Sequence, residues 1–251
     1  VSFVIALLDQ LGVQQAVLAG NSFGGNLAWK VAVDHPQRVS KLVLVDAAGY
    51  PFDPASMPIG FKIAQIPALR PMMEHTLPRS MIESSVRNVY GDPAKVTPEL
   101  VDRYLELTLR AGNRGALVER FRQSPSGEFT AQIPQVRQPT LILWGGQDRL
   151  IPPDNALHFQ RDIAGSRLVM FEQLGHVPHE EDPKVTVART RLRPWPPCRT
   201  SWHRESHQAP CNGSVAKLLA VGRRNGGSIK PLSASADSRR VRSGGALSHH
   251  Q

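Results

Sequence analysis

Apolar positions recur along the first half of the chain in two rhythms. Val4, Ile5, Leu8 and Leu11 fall at helical spacing, which predicts an amphipathic helix over residues 1–12 closed by Gly12. Ala16, Val17, Leu18 and Ala19 form an unbroken apolar run of the length of a buried strand. Leu27, Ala28, Val31 and Ala32 return to helical spacing over residues 24–34, and Pro36 stops that helix. A second buried strand follows from Val39 to Asp46. Strand, helix and strand at this spacing predict a parallel crossover and an α/β fold, whose sites collect at the carboxyl ends of the strands.

The pattern changes from Tyr50 to about Gln138. Prolines at 51, 54, 58, 67, 71, 78, 93 and 98 cut this stretch into short helical pieces. Thr97 is placed to cap a helix that has Pro98 at its first position, with Leu100, Tyr104 and Leu107 on one face. The stretch is too long and too helical for a plain connection, so it predicts an insertion over the carboxyl edge of the sheet, where it shapes a pocket. Strand patterns resume at Thr140–Trp144 and Arg167–Phe171, with a short helix from about Asp154 to Asp162 between them. The expected organisation is a core at 1–50, a helical cap at 51–138, a second core segment at 139–183 and a tail at 184–251.

Candidate chemistry sits where strands end. The first strand runs into Gly20-Asn21-Ser22-Phe23-Gly24, a Gly-x-Ser-x-Gly turn that opens a helix. A serine hydroxyl must be exposed and oriented beside a base to act as a nucleophile, and a sharp turn flanked by Gly20 and Gly24 exposes Ser22 in that way. The helix amides that follow point back toward a developing oxyanion. The two later strands end in loops that carry Asp148 and His176. A histidine base and a carboxylate that orients it complete the set that acyl transfer requires.

The run Ala19 to Gly25, the segment Leu141 to Arg149 and the loop Gly175-His176-Val177-Pro178 resemble the α/β-hydrolase superfamily. More narrowly, they are similar to its lid-bearing serine esterases and carbon–carbon bond hydrolases. The resemblance covers roughly residues 1 to 183. It implies Ser22 as nucleophile, Asp148 as the acid after the family's seventh strand, His176 as base after the eighth, and the Phe23 amide as one oxyanion donor. It implies no cofactor and no metal. Asp46 is the rival acid and His179 the rival base. Asp154 is read as a helix cap, and Glu180 and Glu181 as a solvated turn. The family places four strands before the nucleophile strand and draws its second oxyanion amide from the loop after the third. This chain opens at Val1 inside a helical pattern, so the sequence is expected to begin within the domain, with one edge of the Ser22 strand exposed.

Composition alters this picture only at the tail. The formal charge of +9 suggests a nucleic-acid footprint, but residues 184–251 hold 13 Lys and Arg against Glu205 and Asp237, while residues 1–183 carry a net charge of −2. The core is therefore close to neutral and nucleic-acid binding is not favoured. The tail reads as basic and of low order, and its composition also suits a shifted reading frame. Cys198 and Cys211, with His203 and His207 between them, fit no zinc spacing and are read as incidental. No charged n-region, cleavage site or spanning run appears in residues 1–251, and a cytoplasmic location is the expectation, with a signal ahead of Val1 left open. The expected function is hydrolysis of small carboxylic esters or related carbonyl compounds through a Ser-Asp-His triad, with carbon–carbon bond cleavage of ring-fission products as the alternative. An inactive gene fragment and a basic-tail nucleic-acid binder are the readings from other classes.

Overall fold

In the computed structural model, residues 1–51, 66, 77–123 and 127–191 are described. They form four parallel strands in the order β1-β2-β3-β4: β1 (Ala16–Asn21), β2 (Val39–Val45), β3 (Thr140–Gly145) and β4 (Arg167–Phe171). Helix α1 (Ser2–Gln10) precedes β1, and α2 (Phe23–Asp34) makes the crossover to β2. The long connection from β2 to β3 carries α3 (Arg79–Val89), α4 (Pro98–Leu109) and α5 (Asn113–Gln123). Helix α6 (Asp154–Asp162) joins β3 to β4. The chain then makes one helical turn, α7 (Pro178–Glu181), and a further helix, α8 (Pro183–Arg191).

The central strand β3 is buried along its whole length, which is why Thr140-Leu141-Ile142-Leu143-Trp144 reads as a continuous apolar run. Its side chains alternate between two clusters, as the period of a strand demands. Ile142 and Trp144 join Leu42 and Leu44 of β2, Ala28, Trp29, Val31 and Ala32 of α2, and Phe159 of α6. Leu141 and Leu143 join Val45, Phe171 and Leu174 on the other face. β1 is the outermost strand among the described residues, and Val17 on it is 44% exposed.

The helices of the insertion form a third cluster, in which Val86 and Tyr90 meet Val96, Val101 and Val177. Thr97 caps α4 as expected, its hydroxyl accepting the Leu100 N–H at 3.2 Å. The buried face of α4 is set by Val101 with Leu100 and Tyr104 packed beside it, whereas Leu107 is exposed. Asp154 is the first residue of α6 rather than its cap, since Pro153 occupies the capping position and no side chain bonds there. The stretch expected to lack order from residue 184 opens with α8, which Thr186 anchors by donating its hydroxyl to the Pro178 carbonyl at 2.9 Å. Cys198, Cys211 and the remainder of the tail lie outside the described residues, as does most of 52–76. Among the described residues no helix is long and apolar enough to cross a membrane.

Candidate active site

Because all four strands are parallel, the residues that follow them gather at one end of the sheet: Ser22 after β1, Asp46 after β2, Asp148 after β3 and His176 after β4. Ser22 has φ 55° and ψ −119°. It is one of two non-glycine residues with positive φ among those described, the other being Asp46 at 43°. Such a conformation costs on the order of 1–3 kcal/mol and persists only where the surroundings impose it. The Ser22 N–H donates to the Val45 carbonyl at 3.0 Å, and the Ser22 carbonyl accepts from Asn26 and Ala48.

Gly20 is required there, because a Cβ on it would overlap the Gly24 carbonyl carbon and oxygen. Gly24 itself faces open space, so the expectation that it makes room for the turn is not met. That part falls to Gly25, whose added Cβ would lie 2.5 Å from the Ala47 Cβ. Phe23 is the first residue of α2, where the backbone N–H has no partner in the preceding turn and the helix dipole is positive.

Asp148 and His176 are in direct contact. The His176 Nδ1 lies 2.7 Å from the Asp148 Oδ2, and both side chains are nearly inaccessible, at 4% and 0%. The other oxygen of Asp148 accepts the N–H groups of Leu150 and Ile151 at 2.8 and 2.9 Å. Those two donors fix the orientation of the carboxylate. His176 is also held through its main chain: its N–H donates to the Val89 carbonyl at 2.7 Å, and its carbonyl accepts from the Asn21 side chain at 2.9 Å. The residue before Ser22 is thus bonded to the histidine loop. His179, the rival base, is exposed and makes no such contact with Asp148 among the described hydrogen bonds.

Among the described hydrogen bonds, the carboxylate on the imidazole is Asp148 and not Asp46. Asp46 is fully buried, and its Oδ1 accepts the Gly145 N–H at 2.8 Å. Burial, and then the neighbouring Asp148 charge, raise its pKa well above the usual carboxylate range against the opposing effect of the Gly145 N–H. One donor atom each from Asp46, Asp148 and His176 lie within 4.8 Å of one another. The 2.7 Å separation of Nδ1 and Oδ2 is that of a hydrogen bond, shorter than the spacing of two ligands about 2.0–2.2 Å from a tetrahedral ion.

The sequence reading missed Glu181. Its side chain is wholly buried, its Oε2 accepts from Gly91 and Gly175 at 2.9 and 2.8 Å, and its Oε1 accepts from Asp92 at 3.0 Å. Glu180 pairs with Arg103 and Tyr104 of α4. The pair expected to form a solvated turn instead ties the insertion to the histidine loop. Arg149, next to Asp148, adds bonds to the carbonyls of Tyr90 and Gly91. On the insertion side, the Arg120 guanidinium of α5 stands 3.9 Å from the centroid of the Phe23 ring.

Comparison with known proteins identifies the family and the fold. A family model described as alpha/beta hydrolase fold matches residues 2–183. An uncharacterized hydrolase, YugF, of Bacillus subtilis is 28% identical over 182 residues, covering 72% of this chain and 66% of the relative. The 2-hydroxymuconate semialdehyde hydrolase of Pseudomonas putida is 30% identical over 182 residues, covering 70% of this chain and 61% of the relative. The chain therefore spans 61–66% of the length of these curated relatives. A solved meta-cleavage product hydrolase from Pseudomonas fluorescens aligns with a TM-score of 0.61 at 25% identity, covering 75% of this chain and 66% of that one. A serine hydrolase from Cycloclasticus zankles shares the fold with a TM-score of 0.62 at 22% identity, over 75% and 66% of the two chains.

Proposed function

The chain belongs to the α/β-hydrolase fold family, and on that premise we propose that it carries the catalytic residues of a serine hydrolase acting on small esters or related carbonyl compounds. The observation that carries this reading is the buried 2.7 Å contact between His176 Nδ1 and Asp148 Oδ2, at the same sheet end as the strained turn of Ser22. The Nδ1–H of His176 donates a hydrogen bond to Asp148, which leaves the lone pair of Nε2 free to act as base. Ser22 Oγ attacks the substrate carbonyl carbon as Nε2 takes its proton. Asp148 stabilises the imidazolium that forms, and the Phe23 amide receives the developing oxyanion. His176 returns the proton to the leaving group, and water then releases the acyl group by the same route.

A second reading is supported by Arg120 and by the relatives. An arginine held over Phe23, next to the nucleophile, suits a substrate that carries a carboxylate. Several relatives are named as hydrolases of such acids, including 2-hydroxymuconate semialdehyde hydrolase. On this reading the bond cleaved is a carbon–carbon bond of a ring-fission product. Fluorophosphonate labelling located by mass spectrometry tests both. Labelling confined to Ser22 and lost in Ser22→Ala and His176→Ala is expected, since removing either member of such a set costs roughly 10⁴-fold or more. Labelling elsewhere, or none in the folded chain, refutes the assignment. Protection of Ser22 by a dicarboxylic dienol, weakened in Arg120→Met, separates the second reading from the first.

A further inference from the structure

The buried polar atom left over at this site is the Asp46 Oδ2. It makes no hydrogen bond to any group that can donate one to a carboxylate. The Asp46 Oδ1 is engaged by Gly145, so the unmatched half of the carboxyl is the one to be explained. A buried carboxylate oxygen without a donor is costly, whereas a carboxylic acid hydroxyl needs only an acceptor.

Asp148 supplies that acceptor. An ionised carboxylate has about four lone-pair positions. Three of those on Asp148 are taken, two by Leu150 and Ile151 and one by His176. The fourth is open, and Asp148 is the side chain that faces Asp46. The ligand atoms of Asp46, Asp148 and His176 lie within 4.8 Å of one another, and the Asp148 charge opposes a second negative charge on Asp46. Two ionised carboxylates this close cannot both persist out of water.

We propose that Asp46 is a positioning residue that remains a neutral carboxylic acid and donates its Oδ2 proton to the open lone pair of Asp148. The proposal rests on the Asp148–His176 reading given above. Gly145 and Asp46 then form a chain that sets the rotamer of Asp148 from behind while Leu150 and Ile151 set it from the side. Asp46 is not hydrogen-bonded to the imidazole, whose carboxylate partner is Asp148, and it acts through Asp148. Asp46 has a positive φ of 43°, and its carboxyl reaches β3 at the Gly145 N–H. Asparagine reproduces both bonds, because its oxygen can accept from Gly145 and its amide can donate to Asp148. Leucine, of similar size, reproduces neither.

The test has two parts on the folded full chain. In infrared spectra at neutral pH, a protonated-carboxyl band that disappears on unfolding and is missing from Asp46→Asn is expected. Its absence from the native chain overturns the proposal. The pH dependence of fluorophosphonate labelling at Ser22 is then compared between variants. Asp46→Asn is expected to label within about threefold of the parent, with its acid limb moved by less than about 0.3 pH unit, and Asp46→Leu to fall by about tenfold or more. An acid limb displaced by about one unit or more in Asp46→Asn marks Asp46 as ionised and overturns the proposal. Equal labelling of the Leu and Asn variants also overturns it. If the parent does not label at all, the Ser22 reading fails, and the infrared band still decides the state of Asp46.

Discussion

Replacing Glu181 by alanine tests whether the histidine loop is held in place by a buried carboxylate. Three backbone N–H groups converge on that side chain, from Gly91, Asp92 and Gly175, at 2.9, 3.0 and 2.8 Å. Alanine leaves all three without their acceptor. Each such group costs about 1–3 kcal/mol when buried and unmatched. Water entering the space recovers part of this, and the carboxylate's own desolvation penalty is relieved, so the net loss expected is about 3 kcal/mol. That corresponds to a fall in melting temperature of about 6–12 °C for a domain of this size. Glu181→Gln divides the effect. Its amide oxygen, placed at Oε2, keeps Gly91 and Gly175, but its NH2 then meets the Asp92 N–H donor to donor, and a loss of about 1 kcal/mol is expected. Urea unfolding followed by tryptophan fluorescence gives the two values. Hydrogen exchange at the Gly91, Asp92 and Gly175 amides locates the effect. An alanine variant that loses less than about 1 kcal/mol, or that leaves those three amides as protected as before, refutes the reasoning.

Two further outcomes follow from the geometry of the strand ends. Gly20→Ala drives a Cβ into the Gly24 carbonyl and is expected to cost about 3 kcal/mol and to abolish Ser22 labelling, while Gly24→Ala meets open space and should stay within about 1 kcal/mol of the parent in the same unfolding assay. The pH dependence has a definite sign: Asp46 holds its proton more tightly folded than unfolded, so its contribution makes stability fall as pH rises from the ordinary aspartate range near 4 toward its folded value. Urea midpoints of the parent and Asp46→Asn at about pH 5 and about pH 8 should show the decline smaller in the variant, and equal declines would contradict it.

The strands were legible because a parallel sheet buries both faces of its inner strands, so Thr140–Trp144 carries no polar interruption after its first residue. Ser22, Asp148 and His176 were legible as candidates for a related reason: each lies in the turn or loop after a strand with an apolar run, and parallel strands deliver their ends to one place. Glu181 was not legible. Its partners Gly91 and Asp92 stand 90 and 89 residues away, and nothing in Pro178-His179-Glu180-Glu181 distinguishes a buried acid from a solvated one. Leu107 was misread because α4 turns its buried face through Val101 rather than along the Leu100-Tyr104-Leu107 line. A stripe at helical spacing fixes the period of a helix but not which side of it meets the next element. Gly24 was misread because the motif records where small residues recur without stating which of them is crowded.

The exposed outer edge of β1 bears on whether the Ser22 turn can be held at all. Its described bonds run inward, toward β2. The Ser22 N–H and the Asn21 side chain both bond the Val45 carbonyl, the Ala48 N–H bonds the Ser22 carbonyl, and the Trp29 indole N–H reaches the Ala48 carbonyl at 3.0 Å. Gly25 closes on Ala47 in the same region. The segment that wraps the nucleophile is therefore the one that leaves β2 through Asp46, Ala47 and Ala48. For that segment to turn back over the end of β1, the chain must bend sharply where β2 stops, and Asp46 takes up the bend in its positive φ. The strained backbones of Ser22 and Asp46 are two halves of one interlock between adjacent strand ends. An interlock of this kind over-determines both conformations without help from the outer edge, and it brings the Asp46 carboxyl to β3 as a geometric consequence of posing Ser22.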